Sequence, residues 1–391
     1  MRTNTLLGIS SVALMAMAMA SAKADPVKIG LMATLSGPAS VLGTQVRNGF
    51  MLGVKELGGK LGGQPTTITI VDDQFKPDVA VARVKDLLQR DHVDIVTGIV
   101  FSNILMAVEK PVLAAGKLLI SANAGPSPLA GAACSPLYFS TSFQNDTVHM
   151  AMADYANAQG IKKVVLIMPN YQAGKDAAAG FKHDFKGKIV DEIYTPIGQM
   201  DFSSELTKVA SEKPDAIYTF MPGGMGVALV KQYHQSALVG KVKLLSGDTV
   251  DETSLPGIQD AALGTISASH WAPNMDNQEN KVFVASYEKA YGSPPSFYAA
   301  QGYDAAKLID GALRKTGGKV DIEALRKAMD SVPFKSVRGA FKFNNNGFPI
   351  ENFYQVSIVK RPDGKFVTQA DAKVMTMAKD IYSGACKLPP R

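Results

Sequence analysis

Cysteine, histidine and tryptophan are scarce in this 391-residue chain, which has two, five and one of them. Two cysteines and five scattered histidines without ligand spacing leave no pattern for a structural zinc site. In an oxidising compartment an even pair, Cys134 and Cys386, is most simply a disulfide. Long apolar runs are missing after residue 24. Before it, Arg2 precedes "LLGISSVALMAMAMA" (Leu6 to Ala20), and Ala22-Lys23-Ala24 has the A-x-A form of a signal-peptidase site. Roughly fifteen apolar residues fall short of the ~20 that span a bilayer, so residues 1–24 read as a signal peptide cleaved before Asp25. The formal net charge is only +6, and Arg2 and Lys23 of that leader supply two of those charges. With no Lys/Arg block and no interleaving of basic and aromatic residues, no nucleic-acid partner is expected.

Catalytic and nucleotide signatures are missing too. The chain has no G-x-S-x-G elbow, no H-E-x-x-H and no G-x-G-x-x-G. "AGKD" (Ala173 to Asp176) ends like a phosphate loop, but Pro169 replaces the upstream glycine and Asp176 the hydroxyl. Asp72 and Asp73 follow a strand, where neighbours point to opposite faces, so a turn role is expected. His149, His183 and His234 fall in helical stretches and read as surface or packing residues. The expectation is a protein without enzyme activity and without a cofactor.

What is present is a repeated alternation of apolar strands and helices. "VKIGLMA", "TTITIVDD", "VDIVTGI", "KLLISA" and "YFSTSF" are separated by amphipathic stretches. The same grammar restarts with "KKVVLIMP", "IVDEIYTPI", "DAIYTFMP" and "KVKLLSGD". This pattern predicts an α/β protein of two similar lobes, each a mostly parallel sheet flanked by helices. The last third is expected to be mostly helical, ending in strands over 337–344 and 352–360 around the turn "NNNGFP". Three chain crossings would then form a hinge. The lobes are expected to comprise 25–143 with 271–345, and 144–270 with 346–391.

Open α/β sheets bind ligands at the carboxyl ends of their strands. Those turns here are "LSGPAS", "GIVFSN", "SANAG", "MPNYQAG", "MPGGMG" and "SGDTVD". They are rich in Ser, Asn and Gly and suit a carboxylate, because a helix N-terminus offers free N–H groups and partial positive charge. Ser102, opening a helix after "VDIVTGI", fits best; as an alternative it is an ordinary helix cap.

Over nearly the whole mature length the sequence resembles the substrate-binding proteins of branched-chain amino-acid-type ABC importers. This is the leucine/isoleucine/valine-binding family, with the type I periplasmic binding fold. The resemblance lies in the order and spacing of "KIGLMATLSGPASVLGTQVRNGFMLGVKELG", "GIVFSNILMAVEKPVLAAGKLLISANA", "KKVVLIMPNYQAGKD", "DFSSELTKVASEKPDAIYTF" and "VRGAFKFNNNGFP". It implies that Ser102 meets the ligand carboxylate, that the Asn123 backbone meets an ammonium, and that Leu42 and Tyr298 wall the pocket. Four positions depart from that pattern: Gly125 stands for a threonine, Ala173 and Pro222 for tyrosines, and Asp248 for a glutamate. Tyr171 is a possible substitute for the tyrosine missing at 173.

These departures weaken ammonium recognition and enlarge the pocket. With Phe101, Tyr171, Tyr298 and Trp271 expected near the cleft, the reading is a periplasmic binding protein for an aromatic carboxylate such as a benzoate or cinnamate derivative. A branched-chain or aromatic amino acid is the alternative ligand. The expected partner is an inner-membrane ABC permease, and the protein is expected to be a monomer. A ligand-sensing domain of the same fold would be expected to continue past "ACKLPPR" into a membrane segment or second domain.

Overall fold

The computed structural model describes residues 26–331 and 334–391; the expected signal peptide lies outside them. The chain opens with β1 (Val27–Ala33), α1 (Ser40–Glu56), β2 (Lys60–Leu61), β3 (Gln64–Asp72) and α2 (Pro77–Gln89). β4 (Ile95–Gly98), α3 (Ser102–Ala114), β5 (Leu118–Ser121), α4 (Ser127–Ala130) and β6 (Tyr138–Ser140) complete the first sheet. Its order is β2-β3-β1-β4-β5-β6, parallel except for the β2–β3 hairpin. β4 and β5 are buried along their whole length, as strands covered on both faces must be.

The second sheet follows α5 (Asn145–Ala158), with β7 (Lys163–Pro169), α6 (Gln172–Asp184), β8 (Lys188–Thr195) and α7 (Ser203–Glu212). Next come β9 (Ala216–Thr219), α8 (Gly224–Gln235), β10 (Lys243–Gly247), α9 (Leu255–Ile258) and β11 (Ile266–Ser269). The chain then returns to the first lobe as α10 (Gln278–Tyr291), α11 (Phe297–Lys315) and α12 (Ile322–Ser331). α11 crosses α1 almost backbone to backbone: a Cβ on Gly49 would sit 1.9 Å from the Ala299 carbonyl oxygen, and one on Gly302 would sit 2.2 Å from that of Val46. Glycine is therefore required at that crossing.

β12 (Phe341–Phe343), β13 (Pro349–Lys360) and β14 (Phe366–Ala378) add antiparallel strands to the second sheet, beside β11. Two points differ from expectation. β12, assigned to the first lobe by a boundary at 345, pairs with β13 of the second sheet, although Phe343 packs in the first-lobe core. β14 was not anticipated: its sequence "FVTQADAKVMTMA" mixes polar and apolar residues because most of it lies half-exposed at a bulged edge. Cys134, in the first lobe, is bonded to Cys386 in the tail beyond β14. The 252-residue separation makes the chain-entropy contribution large, about 5 kcal/mol in the loop-closure model.

The three crossings meet around Arg338, whose side chain is 1% exposed. Its guanidinium donates to Asp304 of α11 (3.1 Å), to Glu351 of β13 (2.8 Å) and to the Ser142 carbonyl in the first crossing (2.7 Å). Gln301 donates to the Ser142 hydroxyl (2.9 Å) and faces His270 of the second crossing. One cation faces two buried carboxyls. Asp304 also accepts from Ser336 Oγ and the Val337 N–H, whereas Glu351 Oε1 has no partner among the described residues. Burial, with the charge of Asp304 adding and that of Arg338 opposing, pushes Glu351 up to about 8.

A proton held on Glu351 in the fold, and released by the unfolded chain above its ordinary 4.5, gives stability that is full below pH 4.5 and lost as pH rises towards 8. Glu351→Gln should accordingly unfold in urea much like the wild type at pH 5 and be the more stable protein at pH 8.5. The gap should open by at most about 1.4 kcal/mol per pH unit. A gap independent of pH would contradict this assignment of the proton.

Candidate functional site

The turns at the carboxyl ends of both sheets face one another across a tight, largely enclosed cavity. In the first lobe β4 ends at Gly98 (φ 94°), followed by Ile99 at φ 61°. A β-branched residue in left-handed backbone is rare and costs of order 1–3 kcal/mol, a strain that clusters at functional sites. The bend brings Val100 and Phe101 into the cavity wall and starts α3 at Ser102. The second lobe repeats the device, with Asp248 at φ 50° directly after β10.

Of the residues expected from the sequence, Phe101, Ser102, Asn123, Tyr171, Pro222, Asp248 and Tyr298 line this cavity, as does Ala173. Leu42 and Gly125 do not. Leu42 is fully buried, beside the Gly223 turn of the opposite lobe. At Gly125 a Cβ would stand 2.1 Å from the Phe143 carbonyl oxygen, so any larger residue is excluded by backbone rather than by ligand. Trp271 is also outside the wall, 1% exposed, its indole donating to Asn280 at 2.7 Å. Asp72 and Asp73 hold turns, accepting the N–H groups of Leu35 and Gln74, and of Phe75.

Sequence reasoning missed Phe143, Asn145, His149, Phe220 and Phe297, all in the wall. Phe220 lies directly after β9, in the "YTFMP" turn, and could have been found by the rule that ligands sit beyond the carboxyl ends of strands. Asn145 and His149 stand four residues apart at the start of α5, one face of a helix entering straight from the first crossing. Six aromatic side chains thus line the cavity. Tyr171 stacks with Phe220 (centroids 6.4 Å) and lies 6.3 Å from Phe101, while Phe297 and Tyr298 stack at 4.1 Å.

Ser102 is not the cap of α3. Phe101 holds that position, and Ser102 Oγ instead accepts from Asn145 Nδ2 across the lobes at 3.1 Å. Its own hydroxyl hydrogen has no acceptor among the described residues. The first backbone bonds of α3 run from Ile104 and Leu105 to Phe101, which leaves the preceding N–H groups free of helical partners. Asn145 also donates to buried Asp176 (2.8 Å), which accepts from Ser127 of the first lobe through Oγ (2.8 Å) and N–H (3.1 Å). The lobes are therefore bridged by neutral donors on one carboxyl beside the cavity.

No Lys or Arg lines the cavity, and its one acidic residue is Asp248. Burial, reinforced by the charge of Asp251, holds the Asp248 carboxyl well above the usual carboxylate range, and its Oδ1 has no partner among the described residues. The cavity thus has a positive helix end and donors in one lobe, aromatic walls, and in the other a buried carboxyl whose ionisation burial opposes.

A model of the periplasmic binding protein family matches residues 26–365. The chain belongs to that family. Two mostly parallel sheets joined by three crossings are its type I fold, and membership makes this a branched-chain amino-acid-type substrate-binding protein of ABC importers, a periplasmic class. Leu/Ile/Val-binding protein homolog 6 of Brucella melitensis is 28% identical over 92% of this chain and 94% of its own. An ABC-transporter solute-binding protein from R. palustris in complex with benzoate has TM-score 0.87 and 33% identity, covering 93% of this chain and all of its own. One from Rhodopseudomonas palustris BisB5, in complex with 3,4-dihydroxybenzoic acid, has TM-score 0.86 and 31% identity, covering 91% and 99%.

The steric reading of Gly125 has a direct check in this periplasmic binding protein. Gly125→Ala should lower the unfolding free energy by about 1–3 kcal/mol through overpacking, measured in urea without ligand. Unchanged stability would return the position to a ligand-contacting role.

Proposed function

We propose that this protein captures an aromatic carboxylate, a benzoate or cinnamate derivative, in the inter-lobe cavity and delivers it to an inner-membrane ABC permease. The observation that carries the reading is the pairing of the free α3 N-terminus and Ser102 hydroxyl with six aromatic side chains, where the single acidic residue in the wall is one whose ionisation burial opposes. An ammonium is costly to desolvate and needs acceptors on several sides. Ala173 and Pro222 supply none, and burial opposes ionising Asp248. A planar ring needs none: it fits between Tyr171, Phe101 and Tyr298, each aromatic pair adding about 0.5–1.5 kcal/mol beyond its area. The benzoate and dihydroxybenzoate held by two similar solute-binding proteins support the same reading.

Capture is an equilibrium in this account. The open form samples closure, and a ligand touching both lobes favours the closed form that the permease reads. Ser102, Asn123 and the α3 N–H groups hold the carboxylate, and Phe101, Tyr171, Pro222 and Tyr298 hold the ring. A second reading, a branched-chain or aromatic amino acid with Asp248 taking its ammonium, draws support from the names of the Brucella relatives. A sensory role would use the same cavity and the same closure.

A thermal-shift screen of wild type and Ser102→Ala separates these readings. A ligand at 100 times its dissociation constant adds about 2.7 kcal/mol. Hydroxybenzoates and hydroxycinnamates should raise Tm clearly, and leucine, isoleucine and valine should not. Ser102→Ala should melt like the wild type without ligand and bind these acids roughly 10- to 150-fold more weakly, for loss of a charge-assisted bond of ~1.5 to 3 kcal/mol. Shifts with the amino acids alone would select the second reading.

A further inference from the structure

His149, expected to be a packing or surface residue, stands in the cavity wall, in the lobe opposite Ser102. It is 2% exposed, and its Nδ1 is hydrogen-bonded to the hydroxyl of Tyr218 in β9, which is fully buried. That phenol has no other partner among the described residues. It keeps its proton at any ordinary pH, since burial pushes its pKa up. The phenol therefore donates, and Nδ1 accepts.

Burial also keeps the imidazole neutral, pushing its pKa down to about 3. A neutral imidazole carries one N–H, and with Nδ1 accepting, that hydrogen is on Nε2. Nε2 has no partner among the described residues, and it is not one of the polar atoms sealed from solvent without one.

Asp248 lines the same cavity with its own Oδ1 unpartnered. The two groups are held together by Gly247: a Cβ there would lie 2.6 Å from His149 Nδ1 and 2.7 Å from the Tyr218 hydroxyl. Glycine at 247 thus lets the His149–Tyr218 pair pack directly on the residue before Asp248. The second lobe thus presents one donor and one acceptor to the same cavity, which is what a hydroxyl needs: a donor to its lone pair and an acceptor for its hydrogen.

We infer that His149 and Asp248 form a hydroxyl-recognition pole, with Tyr218 as the positioning residue that sets the imidazole tautomer. The pole selects aromatic carboxylates hydroxylated on the side of the ring away from the carboxylate. This rests on the reading that the cavity takes aromatic carboxylates at all. An unsubstituted ring would leave both polar groups buried and unpaired, whereas an ortho hydroxyl lies beside the carboxylate and points its hydrogen back at it.

Titration calorimetry with 4-hydroxybenzoate, 2-hydroxybenzoate and benzoate tests the inference on wild type, His149→Phe and Tyr218→Phe. A site built to bond a hydroxyl discriminates strongly against analogues without it, and at least about tenfold tighter binding of 4-hydroxybenzoate than of either other acid is expected in the wild type. In both variants the preference should shrink to within about threefold, with benzoate affinity nearly kept. Tyr218→Phe keeps the packing, so the test stands even where His149→Phe fails to fold. Equal wild-type affinity for 4-hydroxybenzoate and benzoate overturns the pole and leaves the aromatic reading intact. Equal weakening of both acids in Tyr218→Phe also overturns it, because a structural role acts on every ligand alike. Binding of leucine with no binding of any benzoate overturns the aromatic reading itself.

Discussion

One buried cation organises the molecule. Arg338 ties together Ser142 in the first crossing, Asp304 on a helix of the first lobe and Glu351 on a strand of the second sheet, and Gln301 of the same helix faces His270 of the second crossing. A buried ion pair adds little net stability, but removing one partner is costly because it strands a charge. Its value here is positional. These contacts hold the connecting segments together beside the two sheets, whose carboxyl-end turns face each other across the cavity.

That constraint explains why strain is tolerated where it is. Ile99 and Asp248 are both non-glycine residues in left-handed backbone, each directly at the end of a strand and each bordering the cavity. The bend at Ile99 aims α3 at the cleft; the bend at Asp248 turns its carboxyl into it. Between them the polar groups are hydroxyl, amide and imidazole side chains, free backbone N–H groups and one carboxyl that burial disfavours ionising, and the apolar wall is aromatic. Such a site holds a small anion through a helix end and its ring through stacking, without a fixed counter-charge.

Much of this was legible in the sequence, and for identifiable reasons. Buried parallel strands such as "VDIVTGI" and "KLLISA" are near-continuous apolar runs, so their positions, the restart of the pattern after residue 143 and the post-strand turns could be read directly. Ser102 followed from the rule that ligands sit beyond the carboxyl ends of strands, Phe101 from standing beside it, and Pro222 from the family resemblance. β14 did not, because a bulged edge strand with half-exposed faces carries no clean alternation. His149 and Asn145 escaped because they sit at the start of a helix after a crossing, not in a post-strand turn. Gly125 was misread because a glycine demanded by the Phe143 carbonyl looks, in one dimension, the same as a side chain lost from a pocket. Arg338 carries little local signal: apart from Ser336, two residues away, the acceptors of its guanidinium are 13 to 196 residues away.

The central claim is that a carboxylate lies at the N-terminus of α3 while its ring points to the second lobe. A crystal structure with 4-bromobenzoate tests this most directly, since anomalous scattering locates the bromine whatever the quality of the ring density. The account predicts the carboxylate within hydrogen-bonding reach of Ser102 and the bromine towards His149 and Asp248. A bromine beside Ser102, or a ligand bound outside this cavity, would contradict it.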